Sequence, residues 1–201
     1  MILGFPLPSV KMEVLAVPKA LAIHRNQRHV PSMSSKQKPA AEQSRPIDAQ
    51  VRIGHVHLKV SNLQRALDFY CGVLGFELTQ RYGTQAAFVS AGGYHHHIGL
   101  NTWESPGGSP PAQGTTGLYH LAILYPTRAA LADALRRLQA AGVELDGASD
   151  HGVSEALYLR DPDQNGIELY WDRPREQWPR TAKGELAMDT KPLDLDGLLR
   201  A

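Results

Sequence analysis

A chain of 201 residues accommodates one domain or a pair of small modules with tails, and 42% hydrophobic against 20% charged residues is an ordinary globular balance. A formal net charge of +1 excludes a global field that would recruit nucleic acid or an anionic membrane surface. No apolar run approaches the roughly 18 residues of a membrane span, and the single cysteine, Cys71, excludes an intramolecular disulfide and fits a reducing, cytoplasmic setting. Histidine is the unusual component, with seven of the nine falling between His55 and His151.

Residues 1–50 read as a disordered, non-catalytic leader. Pro6, Pro8 and Pro18 break its apolar stretches, Lys11 and Lys19 interrupt any signal-peptide core, and Ser32–Gln50 is too polar to offset ordering entropy. A first module spans 51–104. Val51–Val60 alternates with period two, as a strand with one apolar face does. Ser61 and Gln64 have capping-box spacing, and Leu63, Leu67, Tyr70 and Leu74 follow at helical spacing up to Gly75. Strands are expected at Phe76–Arg81, Gln85–Ser90 and His95–Thr102, with Gly83 and Gly92-Gly93 at the turns.

After a Gly- and Pro-rich linker, 105–117, the same order recurs over 118–172. Leu118–Leu124 is a strand, and Thr127 caps a helix whose face is Leu131, Leu135 and Leu138, closed by Gly142. Strands then fit Val143–Leu145, Ala156–Arg160 and Gly166–Trp171, with Asp161-Pro162-Asp163 and Asn165-Gly166 as turns. Gly75-Phe76-Glu77-Leu78 matches Gly142-Val143-Glu144-Leu145, so the chain carries a duplicated βαβββ unit. The fold class is α+β, two such modules in tandem forming a curved mixed sheet around a metal site. The tail, 173–201, has little periodicity beyond a short docking helix at Leu193–Leu199 and receives no chemistry.

The repeat identifies equivalent residues. His55 and His120 hold the same place on the first strand of each copy. Glu168 lies on the last strand of copy two, and its counterpart in copy one is Gly99. A glutamate between Ile167 and Leu169 on a half-buried strand needs a cation or a proton to be tolerated. Two neutral imidazoles and one carboxylate suit a divalent first-row metal with positions left open. The other reading of these residues, each a satisfied core group with Glu168 paired to an arginine, is weaker for three at equivalent positions.

Ile53–Val60 followed by Ala66-Leu67-Asp68-Phe69-Tyr70 and Val73-Leu74-Gly75-Phe76 resembles the opening of the glyoxalase/bleomycin-resistance/extradiol dioxygenase superfamily, and Arg160–Leu169 resembles its closing signature. The resemblance implies metal ligands at His55, His120 and Glu168. Tyr94–Asn101 and Asp150-His151-Gly152 look like the catechol 2,3-dioxygenase branch. That likeness implies catalytic roles for His97, His151 and Tyr158, an iron(II) cofactor with manganese(II) as the alternative, and an aromatic diol and dioxygen as substrates. It involves no nucleic acid or membrane and leaves room for a homo-oligomer. Two rival functions share the scaffold. One is another metal enzyme (a glyoxalase-like lyase, an epimerase or a thiol transferase); the other is a metal-free small-molecule binder. Gly99 in place of a fourth ligand speaks against the glyoxalase type, and the presence of all three ligand positions against the binder.

Overall fold

The computed structural model describes residues 46–201, with one compact unit at Ala49–Ala201. All but the last five residues of the expected leader lie outside the described residues.

The first module begins with β1 (Val56–Lys59), where Leu58 is buried and His57 and Lys59 take the other face. Helix α1 (Leu63–Leu67) is capped by Asn62, whose side chain accepts from the Arg65 N–H. Ser61, the expected cap, is drawn elsewhere: its N–H and Oγ both donate to Asp163 Oδ1. The helix widens into a π-helical turn over Asp68–Val73, where the Leu74 N–H reaches back to the Phe69 carbonyl. Gly75, at φ +86°, then reverses the chain in a conformation an L side chain rarely adopts.

Strands β2 (Glu77–Tyr82), β3 (Ala86–Ser90) and β4 (Ile98–Asn101) complete a four-stranded sheet of order β1-β4-β3-β2. The last strand was expected to start at His95. It starts at Ile98 because Gly92 and Gly93, both at positive φ, lead into a loop that rejoins the ladder only where the His97 N–H bonds the Val89 carbonyl.

The second module repeats the order with β5 (Leu121–Leu124), α2 (Arg128–Ala140), β6 (Leu145–Asp150), β7 (Ser154–Arg160) and β8 (Gly166–Asp172). Thr127 caps α2 through the Ala130 N–H, and Leu131, Leu135 and Leu138 are buried, as the helical spacing requires. β6 runs to Asp150, past the expected Val143–Leu145. The tail adds β9 (Lys191–Pro192) to its edge, giving the order β5-β8-β7-β6-β9. Helix α3 (Leu195–Leu199) docks on α2 through fully buried Leu198, with Arg128 donating to the Gly197 carbonyl and Arg136 to that of Leu199.

The architecture is therefore α+β, with the strands divided between two sheets. One hydrophobic core joins the modules, taking Leu58, Val89, Ile98 and Leu100 from the first and Leu135, Leu157, Ile167 and Leu169 from the second. Each such side chain contributes about 1.5–3 kcal/mol by leaving water. The turn between β7 and β8 clamps the first module's helix. Asp161 accepts from the buried Tyr70 hydroxyl at 2.9 Å, and Asp163 Oδ1 accepts from Ser61 and from Arg65 Nη2 at 2.7 Å. β1 and β5 are outer strands, each paired on one side only among the described residues.

Candidate active site

Register fixes the equivalences between the modules. Parallel pairing sets His57 opposite Gly99 and Ala122 opposite Glu168; antiparallel pairing sets Phe88 opposite Gly99 and Tyr158 opposite Glu168. Gly99 thus corresponds to Glu168, Phe88 to Tyr158, and His55 to His120, each histidine immediately preceding its strand. The first copy has glycine and phenylalanine where the second has a carboxylate and a phenol. A Cβ at position 99 would also meet the His57 ring at 2.9 Å, so a side chain there requires that ring to move.

The second module gathers four of the six expected site residues. His120 Nε2 and Glu168 Oε2 stand 2.9 Å apart. The Tyr158 hydroxyl donates to Glu168 Oε1 at 3.1 Å and lies 2.8 Å from His151 Nε2. His151 Nδ1 lies 2.9 Å from the Asp189 carbonyl. A carbonyl only accepts, so Nδ1 carries a proton and Nε2 is the atom free to gain or lose one. Sequence reasoning missed this support, because Asp189 contributes only its backbone and the tail has no periodicity. Burial first, then the Glu168 charge and hydrogen bond, pushes Tyr158 up to about 12, so it stays a phenol near neutrality. Gly166 makes the packing feasible: a Cβ there would strike the Tyr119 carbonyl and approach the His120 Cβ at 3.1 Å. A shallow cavity of about 280 Å³ opens beside His120 and Tyr158, with Tyr119 and Ile167 in its wall.

The first module holds the other two. The His55 ring packs 4.5 Å from that of His96, which also faces Phe88. His96 lies before β4, so the strand's alternation does not set its side. His97 faces Tyr94, and its Nδ1 meets Ser90 Oγ at 3.0 Å and the Ala91 N–H. His57 lies between Phe88 and Trp103, and burial, with His55 nearby, lowers its pKa.

These positions test the fit of a metal. His120 and Glu168 present an imidazole nitrogen and a carboxylate oxygen at adjacent corners, a donor pair suited to a divalent cation. Yet among the described residues no three His, Cys, Asp or Glu side chains come together as ligands, and His55 does not join the pair. His120 Nδ1 is buried without a hydrogen-bond partner, so the outer partner that ordinarily orients a metal-bound imidazole is also missing.

The model of the Glyoxalase/Bleomycin resistance protein/Dioxygenase superfamily matches residues 52–169, more than half of the chain. The chain belongs to that superfamily. Among its superfamily relatives, catechol-2,3-dioxygenase of Bacillus subtilis (strain 168) is 44% identical over 154 residues, covering 76% of this chain and 53% of that protein. Biphenyl-2,3-diol 1,2-dioxygenase 3 of Rhodococcus globerulus is 33% identical over 123 residues, covering 60% and 63%. The chain thus spans between half and two thirds of the length of these relatives. A solved glyoxalase/dioxygenase from Nostoc punctiforme shares the fold at TM-score 0.53 and 20% identity, over 65% of this chain and 98% of that one. A domain from Frankia sp. EAN1pec described as glyoxylase/bleomycin resistance protein/dioxygenase does so at TM-score 0.52 and 25% identity, over 61% and 98%.

Proposed function

We propose that this protein is an extradiol ring-cleaving dioxygenase, acting on a catechol-type aromatic with dioxygen and using iron(II), or manganese(II), for which His120 and Glu168 form the ligand pair, with His55 as the third ligand that the repeat implies. The observation that carries the reading is the hydrogen-bonded line from the Asp189 carbonyl through His151 and Tyr158 to Glu168, beside His120. The two relatives whose names specify aromatic diols support the substrate class.

The line has a proton-dependent logic. When His151 is protonated, Nε2–H donates to the Tyr158 oxygen and the phenol donates onward to Glu168, so every donor has an acceptor. When His151 is neutral, one phenolic proton is shared between two acceptors. His151 Nε2 therefore stores a proton taken from the diol and returns it later, while Tyr158 carries the hydrogen bond towards the carboxylate. The adjoining cavity has the exposed Tyr119 ring in its wall, against which an aromatic substrate can pack, beside the Asp146–Arg160 ion pair.

The test is oxygen uptake by iron-loaded protein given catechol, with product mass measured under ¹⁸O₂. One dioxygen consumed per catechol, with both labelled atoms in a ring-opened product, is expected. Iron-loaded protein that binds catechols without consuming oxygen refutes the reading.

A further inference from the structure

The cavity beside His120 and Tyr158 continues along β7 to a charged pair that the proposed reaction does not use. Side chains alternate along a strand, so Arg160, two residues after Tyr158, takes the same face. Two strand residues span about 7 Å, comparable with one substituted aromatic ring. Arg160 Nε donates to Asp146 Oδ2 at 2.7 Å and Nη1 reaches the Gln164 carbonyl at 3.4 Å, while Nη2 carries no hydrogen bond among the described residues. Asp146 meets Arg160 because β6 is irregular there: its register with β7 shifts between Leu145 and Gly147, and such a bulge re-aims a side chain. Gly147, opposite Tyr158, leaves the space between the phenol and the ion pair open, since a Cβ built there meets nothing within 4 Å. The paired side chains are 41% and 48% exposed, and an ion pair in that setting contributes little to stability.

We propose that Arg160 sets substrate choice, and that the cavity takes a catechol carrying a carboxylate on the ring or one carbon from it. The diol then lies at His120 and Glu168, and the carboxylate meets the free edge of the Arg160 guanidinium. A planar guanidinium binds carboxylates through parallel, charge-assisted N–H bonds, and one exposed partner on Nε leaves donors for a second. Asp146 orients Arg160 and offsets part of its charge. Of the two, arginine has the longer reach, so the group presented to a ligand is a donor, which favours an anionic substituent over an ammonium. The inference rests on the diol reading of the site and adds the chemistry of the ring substituent.

Equilibrium binding, measured by calorimetry on metal-loaded protein without oxygen, decides it apart from turnover. The probes are protocatechuate, homoprotocatechuate, dopamine and a methylcatechol, the last a neutral ring of similar size. Wild type is expected to bind the better of the two acids about tenfold or more tighter than the methylcatechol, as a hydrogen bond to a charged group allows. Arg160→Gln is expected to lower that acid-to-methylcatechol ratio about tenfold. Asp146→Asn removes the competing carboxylate and is expected to raise the ratio, by up to about fivefold. Opposite shifts from the two halves of one ion pair are not what a purely structural pair would give, and Asp146→Asn keeps the test decisive where Arg160→Gln lowers the melting temperature. Equal binding of the acids and the methylcatechol by wild type, an acid preference that survives Arg160→Gln, a ratio that falls in Asp146→Asn, or dopamine bound more tightly than either acid overturns the Arg160 site. Each of these leaves the dioxygenase reading standing. An Arg160-dependent acid preference without oxygen consumption upholds the site and removes the dioxygenase reading. Protein that binds no diol overturns both.

Discussion

Replacing His151 and Tyr158 singly and together tests the line that carries the functional proposal. Tyr158→Phe deletes one hydroxyl that serves two neighbours, His151 Nε2 at 2.8 Å and Glu168 Oε1 at 3.1 Å. A hydrogen bond to a charged group contributes about 1.5–3 kcal/mol, which is about 10–150-fold in rate if it is expressed wholly in the transition state. His151→Phe removes the proton carrier itself and is expected to cost about 10²–10⁴ in kcat. If the two act as one line, the losses do not multiply: without His151 the Tyr158 hydroxyl still reaches Glu168 but no longer links it to a proton carrier. The double variant should then be about as slow as His151→Phe alone, whereas independent roles predict the product, about 10³–10⁶. The assay is kcat by oxygen uptake with catechol, normalised to bound metal, with a thermal melt of each variant. A double variant near the product of the singles, or Tyr158→Phe within twofold of wild type, refutes the relay.

Three further outcomes follow from the geometry. Tyr70→Phe leaves buried Asp161 one donor short and is expected to destabilise by about 1–3 kcal/mol, read as a lower urea midpoint at unchanged slope. Leu198→Ala empties a fully buried site and should cost about 2–5 kcal/mol, whereas Met188→Ala, at 61% exposure, should leave the melt unchanged. Tyr158 is raised above its ordinary value, so its contribution to stability is complete below about pH 10 and is lost as pH rises through about 12. The ultraviolet difference between wild type and Tyr158→Phe should show one tyrosine titrating near 12, and a step near 10 contradicts the assigned environment.

The repeat was legible because it rests on local chemistry. Period-two and helical spacing, Gly75 and Gly142 at positive φ, and Thr127 as a cap all depend on residues near in sequence. Aligning Ile98-Gly99-Leu100 with Ile167-Glu168-Leu169 was enough to pair Gly99 with Glu168, since strand register preserves sequence order. The fate of Ser61 was not legible: it spaces like a cap, but Asp163, 102 residues away, offers it a carboxylate. The same holds for Asp189, whose backbone carbonyl selects the tautomer of His151. The sequence by itself determined the two modules and the residue types at their equivalent positions. Only the tertiary structure decided that the modules dock through a helix and a turn, with β1 and β5 each paired on one side only among the described residues. That choice turns on buried pairing between distant groups, such as Tyr70 with Asp161, and such pairing has no period along the chain.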